Sequence, residues 1–161
     1  MDPPNCNTET FTLHTTSNNF VTGSSNSQYV CDINIPLKDV VEASIVTASI
    51  ANTTSNVVYV GVEELESTFT DYLTPAAAGT SAAGNLRRSL AAFYSDRTTY
   101  ATQPRIVFYN RYPIDVPFIY PIQRLEKLTI TLYDEVGNVL TADPSATFIT
   151  FRFVCKRKNL C

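Results

Sequence analysis

The sequence predicts an all-β, antiparallel fold, arranged either as a two-sheet sandwich or as a barrel. Short runs in which apolar and polar residues alternate with a period of two are typical of strands, and clusters of turn-forming residues separate them. The alternation of strands with helical segments that βαβ units require is absent. There is also no tryptophan, which argues against the Cys, Trp and Cys arrangement of immunoglobulin domains.

The clearest strand lies within residues 118–138, where alternation places one face in a core and the other toward water or a partner. Its inward face is predicted to be Leu128, Ile130 and Leu132, and its outward face Thr129, Thr131 and Tyr133. Gly137, between turn-forming Asp and Asn residues, predicts a tight turn after the strand. Upstream, Pro113, Pro117 and Pro121 each lack an amide donor, which predicts an ordered edge or corner.

The other strands follow from the same pattern in chain order. They are expected at residues 11–14, 29–35, 40–50, 57–62, 105–109, 116–120 and 145–155. Residues 85–94 have Leu86, Leu90 and Phe93 at helical spacing, so this segment predicts either one short helix or, over 90–94, a strand. The small-residue run 74–84 predicts a long surface loop of weak order.

We expect one domain with an arm and a tail. Residues 1–27 are predicted to be an extended N-terminal arm, 28–157 the folded domain, and 158–161 a C-terminal tail. A chain of 161 residues can bury a core without disulfide bonds. The N-terminus lacks the basic and apolar regions of a signal peptide, and no apolar run approaches the roughly 18 residues of a membrane span. These features favour a protein made and used in a reducing cytosol.

The sequence predicts no catalytic, cofactor-binding or metal site. Motifs for nucleotide binding, serine hydrolysis and zinc proteolysis are absent, and His14 is the single histidine. None of the four cysteines forms a Cys-x-x-Cys pair, so zinc is not expected. The acidic residues Glu63, Glu64, Glu66 and Asp71 are expected to be a solvated rim; a cation site or a carboxylate pair is the alternative.

Arginines interleaved with aromatic residues form a further candidate site. Such residues can stack nucleic-acid bases, but they are also enriched in protein interfaces. The formal charge of −3 and the pI near 5.1 favour the protein interface. The basic run 156–158 is expected to be a solvated tail, with an acidic partner surface as the alternative. The candidates are Arg87, Arg88, Arg97, Arg105, Arg111, Phe93, Tyr94, Tyr100, Phe108, Tyr109 and Tyr112.

Part of the chain resembles a known family. Residues 120–134, Tyr-Pro-Ile-Gln-Arg-Leu-Glu-Lys-Leu-Thr-Ile-Thr-Leu-Tyr-Asp, then Gly137-Asn138 and the amphipathic run 148–156, resemble the C-terminal half of single jelly-roll capsid proteins of large icosahedral double-stranded DNA viruses. Upstream, residues 33–37, Ile-Asn-Ile-Pro-Leu, and the run 40–50 are similar to the opening strands of these proteins. The resemblance covers residues 28–157, although the loop at 74–84 has no clear place in it. It implies an antiparallel eight-stranded single jelly-roll sandwich, in which the first and last strands are neighbours.

The resemblance also implies a structural capsid protein without enzymatic activity. The first expectation is the penton protein at the five-fold vertex, assembled as a homo-oligomeric pentamer, and the second is a minor, cementing capsid protein. Its partners would be the major capsid protein and other capsid proteins, with no nucleic acid and no membrane insertion. It would be located in the virion capsid and assembled in the host cytoplasm.

Two other classes of function remain open. One is a cellular jelly-roll or sandwich binding module, such as a lectin-like or cytokine-like trimer. The other is a cupin-type enzyme, which would need clustered histidines. In the capsid interpretation, the loop 74–84 and the arm before Gln28 are predicted to be the main assembly elements, because they are long and poor in core residues.

A jelly-roll strand order makes a prediction about the cysteines. If the strand at 29–35 pairs with the last strand, Cys31 and Cys155 approach each other inside the core. In the cytosol they are expected to be reduced thiols that act as small hydrophobic groups. Cys6 and Cys161 are better placed for contacts or bridges between subunits.

Overall fold

A computed structural model of the chain describes residues 8–17, 25–51, 55–68, 72–73, 87–94, 105–135, 137–140 and 146–156. These ranges are almost entirely β-structure, with one 3-10 helix at Glu63–Thr68. The strands are β1 (Thr8–Thr16), β2 (Gln28–Ala51), β3 (Val57–Val62), β4 (Tyr72–Leu73), β5 (Arg87–Arg88), β6 (Ala91–Tyr94), β7 (Arg105–Tyr133) and β8 (Phe148–Lys156). The all-β prediction is therefore confirmed.

Six strands form one curled sheet in the order β1-β8-β2-β7-β3-β6, and β4 pairs with β5 separately. Every pairing is antiparallel. The pairing of β1 with β8 runs without interruption from Thr8 opposite Lys156 to Thr16 opposite Phe148. The strands at the two ends of the described chain are therefore direct neighbours.

The two long strands are paired with each other, but their ladder is interrupted at three points. At each point four residues of one strand lie opposite a single residue of the other. Residues 33–36 of β2 lie opposite Glu126, residues 110–113 of β7 opposite Val46, and residues 118–121 of β7 opposite Val41. We call these segments the three excursions.

All three excursions end in a proline, namely Pro36, Pro113 and Pro121. Proline has no amide hydrogen and so cannot donate to a ladder, which is why it is found at bulges and edges of sheets. The prolines therefore mark irregularities inside long strands. The separate strands predicted at 105–109 and 116–120 are instead parts of one strand, β7.

Alternating residues of β7 and β8 build the centre of the core. The inward-facing side chains predicted at Leu128, Ile130 and Leu132 are fully buried, as are Ile149, Phe151 and Phe153 on β8. Burying one such side chain contributes about 1.5–3 kcal/mol. The predicted inward face of this part of β7 is confirmed, and β8 shows the same alternation of burial.

The opposite face of residues 128–133 is buried as well, contrary to prediction. Thr131 is 8% exposed and Tyr133 is 7% exposed. The 3-10 helix lies beside Thr129, and residues 137–140 fold back so that Val139 forms a bridge with Tyr133. The last residues of β7 are therefore buried on both faces. The 3-10 helix, which follows β3, and residues 137–140, which follow β7, lie against them.

Within the predicted arm 1–27, residues 8–16 form β1, a full partner of β8 rather than a short strand at 11–14. The segment is rich in threonine, and its burial is slight, so apolar periodicity did not reveal its length. The described parts of 85–94 are two short strands, and the alternative of a helix is wrong there. The loop 74–84 and the tail 158–161 lie outside the described residues.

The predicted approach of Cys31 to Cys155 is wrong. Cys31 pairs with Leu128 on β7, and Cys155 lies opposite Glu9 on β1. Cys31 contacts Thr15 and Thr16, six and seven residues further along β1 than Glu9, so roughly 20 Å separates the two thiols along that strand. The reason is that β1, and not the strand at 29–35, supplies a neighbour of β8. Cys6 and Cys161 lie outside the described residues.

Candidate functional site

His14 lies on the outward face of β1, where it is exposed to solvent. Its Nδ1 atom is 3.1 Å from the Oγ1 atom of Thr150 on the neighbouring strand. Among the described residues, no group of three or more His, Cys, Asp and Glu side chains could hold a metal ion. His14 therefore has one hydroxyl partner and no carboxylate that would orient it as a base.

Of the acidic candidates, Glu64 has a definite structural contact. Its carboxylate accepts hydrogen bonds from the backbone N–H of Thr129 at 2.6 Å and from the Thr129 hydroxyl at 2.7 Å. The ladder between β3 and β7 ends with Val62 opposite Ile130, the residue that follows Thr129 in β7. The Glu64 side chain thus continues the hydrogen bonding of β3 along β7. Glu63 is exposed, and Asp71 lies outside the described residues.

The arginines and aromatic residues are not brought together as a stacking surface within the described residues. The guanidinium of Arg105 donates to the Ser49 hydroxyl at 3.0 Å, and to the carbonyls of Ser49 at 3.1 Å and Ala146 at 2.6 Å. Phe93 is buried and packs against Phe108, with 5.1 Å between ring centroids. Arg97 and Tyr100 lie outside the described residues, and the side chains of Arg87, Arg88, Tyr109, Arg111 and Tyr112 are not described.

A polar network that the sequence did not reveal crosses three strands. The buried Ser44 hydroxyl of β2 donates to Asp115 of β7 at 2.5 Å. Arg152 of β8 donates to the same carboxylate oxygen at 3.1 Å, which makes an ion pair. Because these groups satisfy one another, the network ties the strands together and leaves no reactive group free.

The first residues of β2 contact the end of β1, although the two strands are not neighbours in the sheet order. Tyr29 and Cys31 lie beside Thr15, whose hydroxyl donates to the Ile149 carbonyl at 2.8 Å. Burial raises the pKa of both Tyr29 and Cys31 above their usual values. Curling of the sheet therefore brings these two segments face to face.

The most exposed of the large apolar side chains lie on the excursions at 33–36 and 118–121. Ile35 is 79% exposed, and Ile119 and Tyr120 are each 81% exposed. We call these three residues the bend patch. A short ladder, in which residues 37–40 pair with 122–125, lies between the excursions at 33–36 and 118–121. These two excursions are therefore about 10 Å apart along the strands.

The bend patch was missed by sequence reasoning, which predicted residues 29–35 to be one strand with regular alternation of apolar and polar residues. A bulge resets the alternation of inward and outward side chains, so periodicity fails at such a point. The available signal was local: a large apolar residue directly before a proline, as in Ile35-Pro36 and Tyr120-Pro121. Large apolar groups held in solvent by an ordered ladder are typical of surfaces that contact another protein.

The bend patch also has an unusual arrangement of charge. Lys38 lies directly opposite Arg124 in the short ladder, and both side chains are exposed. Like charges in this position are destabilising. Glu126 accepts a hydrogen bond from the Arg124 guanidinium at 2.6 Å, whereas Lys38 has no ion pair with the described residues. The patch is therefore apolar with an uncompensated cation at its side.

No protein-family model matches the chain, and a search of curated proteins finds no match. Within the ranges that the structure describes, no helix has the length and apolar character needed to cross a membrane.

Proposed function

We propose that the curled sheet is a single jelly roll. If β2 is divided at its excursion 33–36 and β7 at its excursion 118–121, eight strands result, and their pairings form two groups of four that the short ladder of 37–40 with 122–125 connects. One group holds β1, β8, the second part of β2 and the first part of β7. The other holds the first part of β2, the second part of β7, β3 and β6. Eight antiparallel strands in two groups of four agree with a jelly roll.

Contacts between the two groups support this proposal. Tyr29 and Cys31 belong to one group, and Thr15, which lies beside them, belongs to the other. In a sandwich, inward side chains of the two sheets meet in this way across the core. Bends at the excursions would then carry β2 and β7 from one sheet to the other.

We further propose that the protein is a structural capsid protein, with the penton of a large icosahedral double-stranded DNA virus as the best-supported role. The observation that carries this proposal is the bend patch, whose exposed apolar groups indicate a surface for protein contact. The sequence resemblance to single jelly-roll capsid proteins supplies the class of assembly. The proposed protein has no enzymatic activity, cofactor or metal.

The proposed assembly is a pentamer around a five-fold axis, with the major capsid protein and other capsid proteins as neighbours. Such rings need only surfaces that fit one another, which agrees with a chain whose polar clusters serve to join strands. The proposed location is the virion capsid, after assembly in the host cytoplasm. Contact with nucleic acid and insertion into a membrane are not part of this role.

Light scattering on the purified protein tests the proposal. Five copies of the 17.8 kDa chain should give a particle of about 89 kDa that persists on dilution. A protein that stays monomeric at every concentration would contradict the penton role. A monomer that nevertheless binds purified shells would support the minor capsid role instead.

A further inference from the structure

A ring of identical subunits requires two different surfaces on each copy, because every contact is head-to-tail. The bend patch is one exposed apolar surface. A second lies where β3, β6 and the turn after β7 meet: Tyr94 is 75% exposed, and Val139 is 44% exposed. Together with the exposed Glu135 we call this surface the tyrosine end.

Contacts of Tyr59 show that the tyrosine end is one surface. Tyr59 pairs with Tyr133, which forms the bridge with Val139. Burial, followed by the proximity of Tyr94 and Glu135, raises the pKa of Tyr59. All of these residues therefore surround the same end of β3.

The two surfaces lie far apart on the molecule. Arg124, beside the bend patch, is nine residues before Tyr133 in the continuous strand β7. At about 3.3 Å per residue, nearly 30 Å separates them. Surfaces this far apart along one strand can meet only between copies, which is the arrangement that a head-to-tail contact needs.

The two surfaces also differ in charge. Residues 133–140 contain the carboxylates of Asp134 and Glu135 and no lysine or arginine. Beside the bend patch lies Lys38, and the next carboxylate along the chain, Asp39, lies close enough to the buried Cys155 to raise the pKa of that thiol. An acidic surface placed against Lys38 would relieve its repulsion with Arg124.

We propose that the bend patch of one copy packs against the tyrosine end of a second copy, with Lys38 and Glu135 forming an ion pair between them. This inference rests on the proposed ring assembly and names its contact. Ile35, Ile119 and Tyr120 would cover Tyr94 and Val139, while the two charges set the register of the contact.

A charge-swap experiment tests this contact by light scattering and analytical ultracentrifugation. Lys38→Glu and Glu135→Lys should each weaken self-association at least tenfold, and the double variant should return to within about threefold of the wild type. Lys156→Glu makes the same charge change on the exposed end of β8 and should have no effect. Glu135→Gln keeps an acceptor for the Asn56 N–H, which the Glu135 carboxylate binds at 2.7 Å, and should still weaken association.

Zero-length carbodiimide cross-linking gives a second readout on the wild-type protein. A Lys38–Glu135 cross-link should appear in peptide maps of the cross-linked oligomer and not of the monomer, because one chain cannot bring these residues together. A stable pentamer that lacks this cross-link and tolerates both charge reversals would overturn the contact while leaving the capsid proposal in place. A wild-type protein that does not self-associate at any concentration would overturn both this contact and the pentameric penton role.

Discussion

Glu64 illustrates how an acidic cluster in a sequence can have a structural purpose. Its carboxylate receives two donors from Thr129, and its side chain is only 18% exposed, so the charge is largely withdrawn from water. Lys127, at 3.9 Å, adds a weak ion pair. The four acids looked equivalent in the sequence, and only the end of the β3 ladder distinguishes this one.

Replacing Glu64 should therefore destabilise the protein. Glu64→Ala leaves the Thr129 N–H and hydroxyl without their acceptor, which should cost about 1–3 kcal/mol in the free energy of unfolding. Glu64→Gln keeps one acceptor and should cost less. Urea unfolding measures the effect, and Glu63→Ala, at an exposed neighbouring position, should change stability by less than about 0.5 kcal/mol. Equal losses for the Glu63 and Glu64 variants would contradict this role.

The thiols of Cys31 and Cys155 should react slowly. Burial raises the pKa of each above that of an ordinary cysteine, so at pH 8 a smaller fraction is thiolate. Alkylation followed by peptide mapping should show both reacting more slowly than glutathione, with rates that rise as the pH approaches 10. The raised pKa also adds stability below the pKa of the unfolded thiol, which is lost as the pH rises through the folded pKa. Alkylation of either as fast as that of a free thiol would contradict this prediction.

At the scale of the element, the short ladder between two excursions depends on Asp39. Its φ of 51° lies in the left-handed region, which Asp tolerates better than most residues and β-branched residues tolerate least. Asp39→Val should therefore destabilise the protein by about 1–3 kcal/mol. Asp39→Gly removes the same carboxylate but accepts this φ, so it should change stability far less. Thermal unfolding of the two variants makes the comparison, and equal losses would mean that the carboxylate matters and the backbone does not.

Whether a strand could be predicted from the sequence depended on how its side chains are buried. Residues 148–156 alternate between buried and more exposed side chains, because one face of the strand packs in the core. The apolar residues Phe151 and Phe153 therefore indicated this strand in the sequence. β1 has only Phe11 and Leu13 as large apolar residues, so its nine residues looked like an arm. Its position depends on backbone pairing with a strand over 130 residues away, which no local pattern encodes.

The bend patch could not be predicted from the sequence, for a related reason. The prolines of β7 predict an edge or a corner of the sheet, whereas here proline ends a four-residue excursion after which the ladder resumes. The residues just before Pro36 and Pro121 then face solvent, although their apolar character predicts burial. His14, the acids and the arginines drew attention because of their chemistry, but the described ones bind hydroxyls, amides and carbonyls of neighbouring strands or are simply exposed.

At the scale of the whole molecule, β1 is predicted to be part of the folding unit. Removing residues 1–16 would leave one edge of β8 unpaired and uncover its amides. Loss of this ladder should lower the free energy of unfolding by several kcal/mol, since each hydrogen bond contributes about 0.5–1.5 kcal/mol. Denaturant unfolding of the shortened protein under dilute, monomeric conditions measures it. Unchanged stability would mean that the segment is dispensable for folding, as an assembly arm would be.

The pairing of β1 with β8 also has a consequence for synthesis on the ribosome. At typical rates of about 5–20 residues per second, several seconds pass between the emergence of the two strands from the exit tunnel. During that time β1 and the second part of β2 each lack the strand that separates them in the finished sheet. The nascent chain must therefore carry two open strand edges until β8 has emerged, and it is during this interval that we expect it to depend most on chaperones.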